Sequence, residues 1–373
     1  MRVRAILLAA ALVAPTTTHV GPARADIPVA VVGPMSITPA TGQYAAFGEE
    51  MTRGAEMAVR DVNERGGING ERLRLLIADD ACDPEQAVRV AEELARQRVV
   101  LVAGHFCSGA SIPASRVYHE RGVLMINPAS TNPRLTEQGF ADVFRFAGRD
   151  DVQGAFAADY AVDHGLAGRV AVVHDGTAFG EGIAAEFRRR LAERGVPVAL
   201  DEAIRQGDRD FSALIARMEG AGVRLVYFGG YHVEAGLFAR QAHDQGLGAG
   251  LLVNSAMVNR EFWDLAGPGG EGVLMTFAPD PRKLPSAAEV VRRYEAEGYS
   301  PEGRTLYAHA AVQVFAEAAR RAGSTDLGAL EEELRRGSYD TVLGPVTFDG
   351  NGDVTGFRYE MYRWHDGRYE SVR

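Results

Sequence analysis

Residues 99–120 read VVLVAGHFCSGASIPASRVYHE. The apolar run 99–103 predicts a buried strand and residues 112–120 predict a helix, with the turn GHFCSGAS (104–111) between them. A Gly/Ser turn in this position leaves backbone N–H groups and a hydroxyl without intrahelical partners. Such groups favour a bound anion or carboxylate. The alternative is a plain connecting loop that contains a buried thiol, Cys107.

The same alternation of strand and helix continues on both sides of this stretch. Continuous runs of Val, Leu and Ile alternate with segments of helical spacing, which predicts a parallel sheet covered by helices on both faces. Ligands bind such sheets beyond the carboxyl ends of the strands. These ends are polar or turn-like here, at residues 35–36, 79–82, 105–108 and 128–131.

The pattern restarts after the first 150 residues. Further alternation predicts a second doubly wound unit over about residues 149–278. The segments after residue 284 are mainly helical, and we expect them to pack back on the first sheet. Residues 341–364 are predicted to form strands and turns.

The N-terminal 25 residues have the pattern of a secretory signal. Arg2 and Arg4 precede an apolar run at 5–14, and Ala-Arg-Ala at 23–25 is a cleavage site. The run is too short to span a bilayer, which needs about 20 residues. No cysteine lies near the cut, so no lipid anchor is expected. We predict a soluble, exported chain in the periplasm.

The net charge and the cysteine count limit the classes of function that fit this chain. Loss of residues 1–25 removes three arginines and changes the formal charge from −10 to −13. An acidic chain of this kind is a poor partner for nucleic acid, whose phosphates need a basic face. The chain has two cysteines, Cys82 and Cys107, and in an exported protein these favour a disulfide over a metal pair.

Two motifs match known patterns by letter but lie in the wrong context. Gly267-x-Gly269-x-x-Gly272 precedes a predicted strand, whereas the dinucleotide fingerprint follows one and opens a helix. The segment 349–360 (DGNGDVTGFRYE) has acidic residues at the spacing of a calcium loop, but valine replaces the required glycine at its sixth position. A loop and a hairpin turn are the better interpretations.

No residue set supports an enzyme. His105 and Cys107 resemble a nucleophile pair, but an oxidised Cys107 offers no thiolate. Asp79 and Asp80 are adjacent in a strand and therefore point to opposite faces. Neither a G-x-S-x-G elbow nor an H-E-x-x-H motif is present. We predict no catalytic residue, no metal and no cofactor.

With these segments in place, the chain resembles the periplasmic leucine/isoleucine/valine-binding protein family, the type I solute receptors of ABC importers. The resemblance covers nearly the whole mature chain. The motifs that carry it are DDACDPEQAV (79–88), GHFCSGASIPAS (104–115), GVLMINPASTNP (122–133), VHDGTAFGEG (173–182), FGGYH (228–232) and DTVLGPVTFDGNGD (340–353).

The resemblance implies two α/β lobes joined by three hinge crossings, near residues 148, 278 and 357. It assigns residues 26–148 and 279–357 to the N-terminal lobe, and residues 149–278 and 358–373 to the C-terminal lobe. It also implies a disulfide between Cys82 and Cys107.

The resemblance assigns the family's ligand-binding positions to residues of this sequence, motif by motif. Ser108 and Thr131 are at the positions that hold an amino-acid carboxylate, and the Ala129 carbonyl is where the ammonium donates. The residues at positions that enclose the ligand side chain are Phe47, Phe106, Cys107, Phe179 and Tyr231.

Three departures concern the ligand. The family's ammonium-pairing glutamate aligns with Ser255, and two tyrosines align with Phe47 and Phe179. A serine hydroxyl accepts a hydrogen bond but cannot neutralise an ammonium, and charge-assisted bonds are roughly twice as strong as neutral ones. The resemblance therefore predicts an intact carboxylate half and a weakened ammonium half.

We hypothesise a monomeric receptor that captures a branched-chain amino acid or a related amphipathic carboxylate, such as a keto or aromatic acid, and delivers it to an ABC permease. The rival hypothesis is a sensory domain with the same cleft. A hydrolase or dehydrogenase on a similar sheet is the third hypothesis, and no residue set recommends it.

Overall fold

The computed structural model describes residues 26–35 and 42–372. The signal segment 1–25 lies outside the described residues, as does Ser36 at the end of the first predicted strand. Among the residues described, no helix combines the length and the apolarity that crossing a bilayer requires.

The first sheet has five strands, all parallel, in the order β2-β1-β3-β4-β5. Its strands are β1 (Ile27–Gly33), β2 (Leu73–Asp79), β3 (Leu101–Gly104), β4 (Leu124–Asn127) and β5 (Val143–Arg145). The helices between them are α1 (Ala45–Glu64), α2 (Pro84–Arg96), α3 (Ser108–Arg121) and α4 (Arg134–Glu137).

Local sequence explains where these helices begin. α2 begins at Pro84 because the Asp83 side chain caps it and accepts from the Gln86 N–H at 2.7 Å. α3 begins at Ser108, four residues before the start predicted at residue 112. The run SGAS at 108–111, followed by Pro113 inside the helix, has a weak helical signal, which explains why the predicted start is too late.

The second sheet has seven strands in the order β14-β13-β10-β9-β8-β6-β7. Its strands are β6 (Val170–His174), β7 (Val198–Ala203), β8 (Leu225–Gly229), β9 (Gly250–Val253), β10 (Leu274–Phe277), β13 (Glu360–His365) and β14 (Arg368–Ser371). The helices that accompany it in sequence are α5 (Asp150–Asp163), α6 (Ala178–Glu193), α7 (Ser212–Gly220), α8 (His232–Asp244) and α9 (Arg260–Ala266).

This sheet is mixed, and not purely parallel as we expected from the alternation. β13 pairs antiparallel with β10, and β14 returns antiparallel beside β13 through a turn at Asp366. A two-residue turn permits only an antiparallel partner, so the C-terminal hairpin extends the sheet at its edge.

The helical segments after β10 return to the first sheet. They are α10 (Ala288–Ala296), α11 (Thr305–Ala322) and α12 (Leu327–Arg336), followed by a separate hairpin of β11 (Tyr339–Thr341) and β12 (Gly344–Val346). α11 packs along α1 and contacts β3 and β4. It is buried on nearly all sides, as its alanine-rich sequence allows.

A buried ion pair joins β5 to the segment that leads into β13. The Arg145 Nε donates to Asp353 Oδ1 at 2.7 Å, and the Arg149 Nη1 donates to Asp353 Oδ2 at 3.1 Å. Arg145 also donates to the Asn132 carbonyl and to the Thr136 hydroxyl. Asp353 therefore belongs to a structural network, and the segment around it is a turn between β12 and β13. The lobe boundaries near 148, 278 and 357 stay a prediction.

Candidate functional site

A disulfide lies at the carboxyl ends of β2 and β3. Cys82 and Cys107 are bonded with their Cα atoms 5.4 Å apart, which confirms the predicted pair. Cys107 is also the residue immediately before α3. The disulfide therefore ties the N-terminus of this helix to the loop after β2, and it removes the thiol that a nucleophile would need.

The N-terminus of α3 faces the gap between the sheets. The first backbone bonds of the helix run from the Ala110 and Ser111 N–H groups to the Cys107 carbonyl, at 3.0 and 2.9 Å. The amides of Ser108 and Gly109 precede these bonds, and the Ser108 side chain is buried beside them. The structure places these groups where the sequence predicts an anion site, and that site stays a prediction.

Asn127 positions the loop that carries Ala129 and Thr131. Its amide group donates to the carbonyls of Gly104 and His105 at 2.8 and 2.9 Å. Its side-chain oxygen accepts from the Ala129 N–H at 2.9 Å. The ends of β3 and β4 are therefore held together by one buried side chain at the last residue of β4.

His105 has a structural role here. Its ring is fully buried, with Nδ1 2.6 Å from Asp80 Oδ2 and Nε2 2.9 Å from the Tyr118 hydroxyl. Both ring nitrogens are used within the first lobe, so neither is available to a ligand.

The second unit contributes residues from three elements. Phe179 lies in the first turn of α6, which Thr177 caps by accepting from the Gly180 N–H at 3.0 Å. Tyr231 is the residue before α8. Ser255 follows β9, and its hydroxyl donates to Gln153 Oε1 at 3.3 Å.

Aromatic rings from the two units meet over the gap. Phe47 of α1 stacks on Phe106 with ring centroids 4.1 Å apart, and its edge contacts the His232 ring at 4.8 Å. Tyr231 lies 5.0 Å from Tyr44 and 5.1 Å from Phe179. These contacts close an apolar wall over the ends of both sheets.

The two units also make direct polar contacts. The Asn132 Nδ2 donates to the Ala178 carbonyl at 2.7 Å, and the Gln206 Nε2 donates to the Tyr44 hydroxyl at 2.6 Å. Gly182 permits the first approach, because a Cβ there would lie only 2.8 Å from Asn132 Nδ2. The structure therefore has the two units in contact on both sides of the gap.

A cavity lies between the units. Eight of the nine predicted site residues line it: Phe47, Phe106, Ser108, Ala129, Thr131, Phe179, Tyr231 and Ser255. Cys107, the ninth, lines a neighbouring cavity between the units instead. Its sulfur is bonded to that of Cys82.

Sequence analysis missed five lining residues: Glu50, Ser130, Ala256, Val258 and Arg304. Glu50 had one available signal, since it lies on the buried face of α1 that also presents Phe47, Met51 and Gly54. Arg304 immediately precedes α11, and nothing in its local sequence separates it from a solvated arginine.

Buried charges lie at or near this cavity. Burial raises the pKa of Glu50 to about 8, while the backbone N–H and the guanidinium of Arg304 act in the opposite direction. Burial also raises the pKa of Asp150 to about 7. Asp150 is fully buried at the start of α5, and its N–H donates to the Thr131 carbonyl at 2.9 Å. Among the described residues no group makes a hydrogen bond of good geometry to its carboxylate oxygens, although the Thr131 side chain lies near enough to lower the pKa of Asp150.

A metal centre finds no support within residues 26–35 and 42–372, where no cluster of His, Cys, Asp or Glu has the arrangement of metal ligands.

Comparison with known proteins agrees with this architecture. A Leu/Ile/Val-binding protein homolog of Brucella melitensis is 46% identical over 339 residues, 90% of this chain and 91% of the relative. An amino acid binding protein of Pseudomonas aeruginosa is 43% identical over 371 residues, 98% of this chain and 97% of the relative. The crystal structure of a leucine binding protein from Thermotoga maritima has a TM-score of 0.84 at 27% identity, covering 93% of this chain and 98% of that one.

The family model described as periplasmic binding protein matches residues 27–368. With two sheets that face each other across a lined cavity, and with relatives matched over nearly their full length, this chain belongs to the periplasmic binding protein family.

Proposed function

We propose that this chain is the periplasmic receptor of an ABC importer, and that it captures a branched-chain amino acid or a related amphipathic carboxylate between its lobes. The observation that carries the proposal is the cavity itself, which has Ser108 and Thr131 on one side and Phe179, Tyr231 and Ser255 on the other. The names of the amino-acid-binding relatives support the ligand class.

In the proposed complex the ligand carboxylate lies at the N-terminus of α3. The Ser108 hydroxyl and the Thr131 hydroxyl donate to it, together with the amides that precede the first helical bonds. Charge-assisted bonds of this kind are shorter and stronger than neutral ones. The helix dipole adds to the attraction.

The ammonium of an amino-acid ligand would meet neutral groups first. The Ala129 carbonyl accepts one bond, and the Ser255 hydroxyl already donates to Gln153. Asp150 lies behind Thr131 and supplies negative charge when ionised. An ammonium in the cavity would favour the ionised form of Asp150, so that a buried acid partly replaces the family's glutamate.

The receptor works without covalent chemistry. Open and closed forms interconvert by hinge motion, and a ligand that contacts both lobes stabilises the closed form. The closed form, a monomer in this proposal, then docks on a membrane permease. The signal-like segment 1–25 supports delivery of the chain to the periplasm.

Isothermal titration calorimetry of ligand-stripped protein tests the proposal. The titrants are leucine, isoleucine, valine, the keto acid of leucine, and benzoate. We expect saturable one-to-one binding of at least one titrant. Ser108→Ala should weaken that binding by about 1–3 kcal/mol, since it leaves a buried carboxylate oxygen unpaired.

Ser115→Ala is the matched control, because Ser115 is a buried serine of the same helix and its hydroxyl donates to the Ile112 carbonyl, away from the cavity. A dissociation constant that Ser108→Ala leaves unchanged would remove this residue from the site. Absence of binding by every titrant would contradict the proposed ligand class.

A further inference from the structure

Arg304 is a buried cation on the wall of the cavity. Its side chain is held over the rings of Phe277 and Tyr307, with the guanidinium carbon 5.2 and 5.0 Å from the ring centroids. The residue is only 5% exposed, and its Nη1 has no hydrogen-bond partner among residues 26–35 and 42–372. Arginine is rarely buried unless it is paired, so an unpartnered guanidinium nitrogen at a cavity wall requires an explanation.

The neighbouring acid, Glu50, does not neutralise the positive charge of Arg304. Glu50 lines the same cavity, and its Oε2 accepts the Arg304 backbone N–H at 2.8 Å. Since burial raises the pKa of Glu50 to about 8, the carboxyl is mostly protonated at neutral pH. Asp150 feels the Arg304 charge at longer range, but neither of its oxygens bonds to the guanidinium.

The cavity is lined by both apolar and polar side chains. Phe106, Phe179 and Val258 line the cavity. Ser108 is the first residue of α3 and Thr131 lies in the loop after β4, whereas Glu50 and Arg304 come from α1 and the segment before α11. A ligand that fills this cavity therefore meets the hydroxyls of Ser108 and Thr131 and also the guanidinium of Arg304.

We propose that the ligand carries a second anionic group, and that Arg304 binds this group while Ser108 and Thr131 hold the first carboxylate. The preferred ligand class is then a small amino or keto dicarboxylic acid. This inference rests on the proposed function and narrows its ligand class. A cation that is already desolvated and held by two rings is well suited to a charge-assisted bond.

Calorimetry with ligands of matched shape tests the inference. Leucine, asparagine and aspartate share one branched skeleton, and homoleucine, glutamine and glutamate form the corresponding longer set. In one of the two sets the wild-type protein should bind the acid about 10- to 100-fold more tightly than the hydrocarbon, with the amide between them.

Arg304→Met keeps an unbranched stem and removes the guanidinium. It should weaken binding of the acid by about 10- to 100-fold and change binding of the hydrocarbon less than threefold. Arg304→Lys should retain part of the preference, because it keeps the charge but loses the fork. Arg335→Met is the matched control, since Arg335 lies over the Phe144 ring outside the cavity, and it should leave both affinities unchanged.

The outcomes separate the two proposals. If leucine or its keto acid binds and a distal carboxylate weakens binding in both sets, the inference about Arg304 is wrong and the proposed function stands. If no carboxylic acid of either kind binds, the proposed function fails as well. An acid preference that survives in Arg304→Met also overturns the inference, and the retained hydrocarbon affinity shows that the variant is folded.

Discussion

At the scale of single residues, Asp150 decides between the amino-acid and keto-acid alternatives for the ligand. It is fully buried, its carboxylate has no hydrogen bond of good geometry within the part of the chain that the structure describes, and its backbone N–H donates to the Thr131 carbonyl. We predict that Asp150→Asn weakens leucine binding but leaves binding of the keto acid nearly unchanged. At a separation of about 8 Å and an effective dielectric constant of about 20, the lost attraction is about 2 kcal/mol.

Calorimetry on both ligands measures this difference directly. Asp151→Asn is the control, because Asp151 is the next residue but forms a partly exposed ion pair with Arg149. Equal losses for leucine and its keto acid would show that Asp150 acts on the fold and not on the ammonium.

Glu50 makes a prediction about pH. Its folded-state pKa of about 8 lies above the ordinary value of 4.5, so the folded protein binds the extra proton between these values. The contribution of Glu50 to stability is fully present below pH 4.5 and is lost as the pH rises through 8. The groups that act on it are Arg304, which lowers the pKa, and Glu302 and Glu261, which raise it.

Glu50→Gln removes this dependence and can still accept the Arg304 N–H. Relative to the wild type it should be more stable by about 5 kcal/mol at pH 9, with little difference at pH 4. Denaturant unfolding at both pH values measures this effect. Glu49→Gln is the matched control at an exposed neighbouring position. A Glu50→Gln gain that is the same at both pH values would contradict the account.

At the scale of secondary-structure elements, a buried asparagine fixes the loop after β4 and another fixes the loop after β9. Asn127 at the end of β4 donates to the carbonyls beyond β3, and Asn254 just past β9 donates to the Phe228 and Gly230 carbonyls at 3.2 and 3.0 Å. Each asparagine also accepts an N–H from the residue two positions on. The loops that line the cavity are therefore fixed before any ligand arrives.

The Arg145–Asp353 pair gives the element-scale prediction. Arg145 is fully buried, and Asp353 accepts from both Arg145 and Arg149. Asp353→Asn should destabilise the protein by about 3–5 kcal/mol, because it strands a buried guanidinium. Asp264→Asn breaks the exposed pair with Arg260 and should cost less than about 1 kcal/mol. Urea unfolding of the two variants measures both losses in the free energy of unfolding. Equal losses would show that burial does not determine the contribution of the Arg145 pair.

Sequence patterning was most informative about the parallel strands and their helices. Strands rich in Val, Leu and Ile are buried on both faces, so their signal is strong wherever two helices cover them. It was weakest at α3, where small residues and Pro113 conceal a helix start, and at the C-terminal hairpin, where the strand direction depends on a turn at Asp366.

The candidate site also contains residues that the sequence predicted and residues that it did not. Ser108, Thr131 and Tyr231 lie in motifs at strand or helix ends, so the family resemblance identified them. Sequence analysis did not predict Glu50 and Arg304 as site residues, because a charged residue ordinarily predicts a solvated position. Their burial depends on the packing of α1 against α11, two helices that are far apart in sequence.

At the scale of the whole molecule, two lobes with separate sheets are in contact through Asn132–Ala178, Gln206–Tyr44 and the ring of Phe47 against His232. These contacts enclose the cavity. The ligand that we propose would touch both lobes and add its binding free energy to the arrangement in which they are in contact.

The central claim is that this cavity grips a small carboxylic acid without altering it. A crystal structure of the protein with the tightest-binding acid found by calorimetry tests this claim most directly. We predict electron density for one intact molecule between the lobes, with a carboxylate in hydrogen-bond contact with the Ser108 and Thr131 hydroxyls. Density for the ligand elsewhere on the chain, with both hydroxyls turned away from it, would contradict the account.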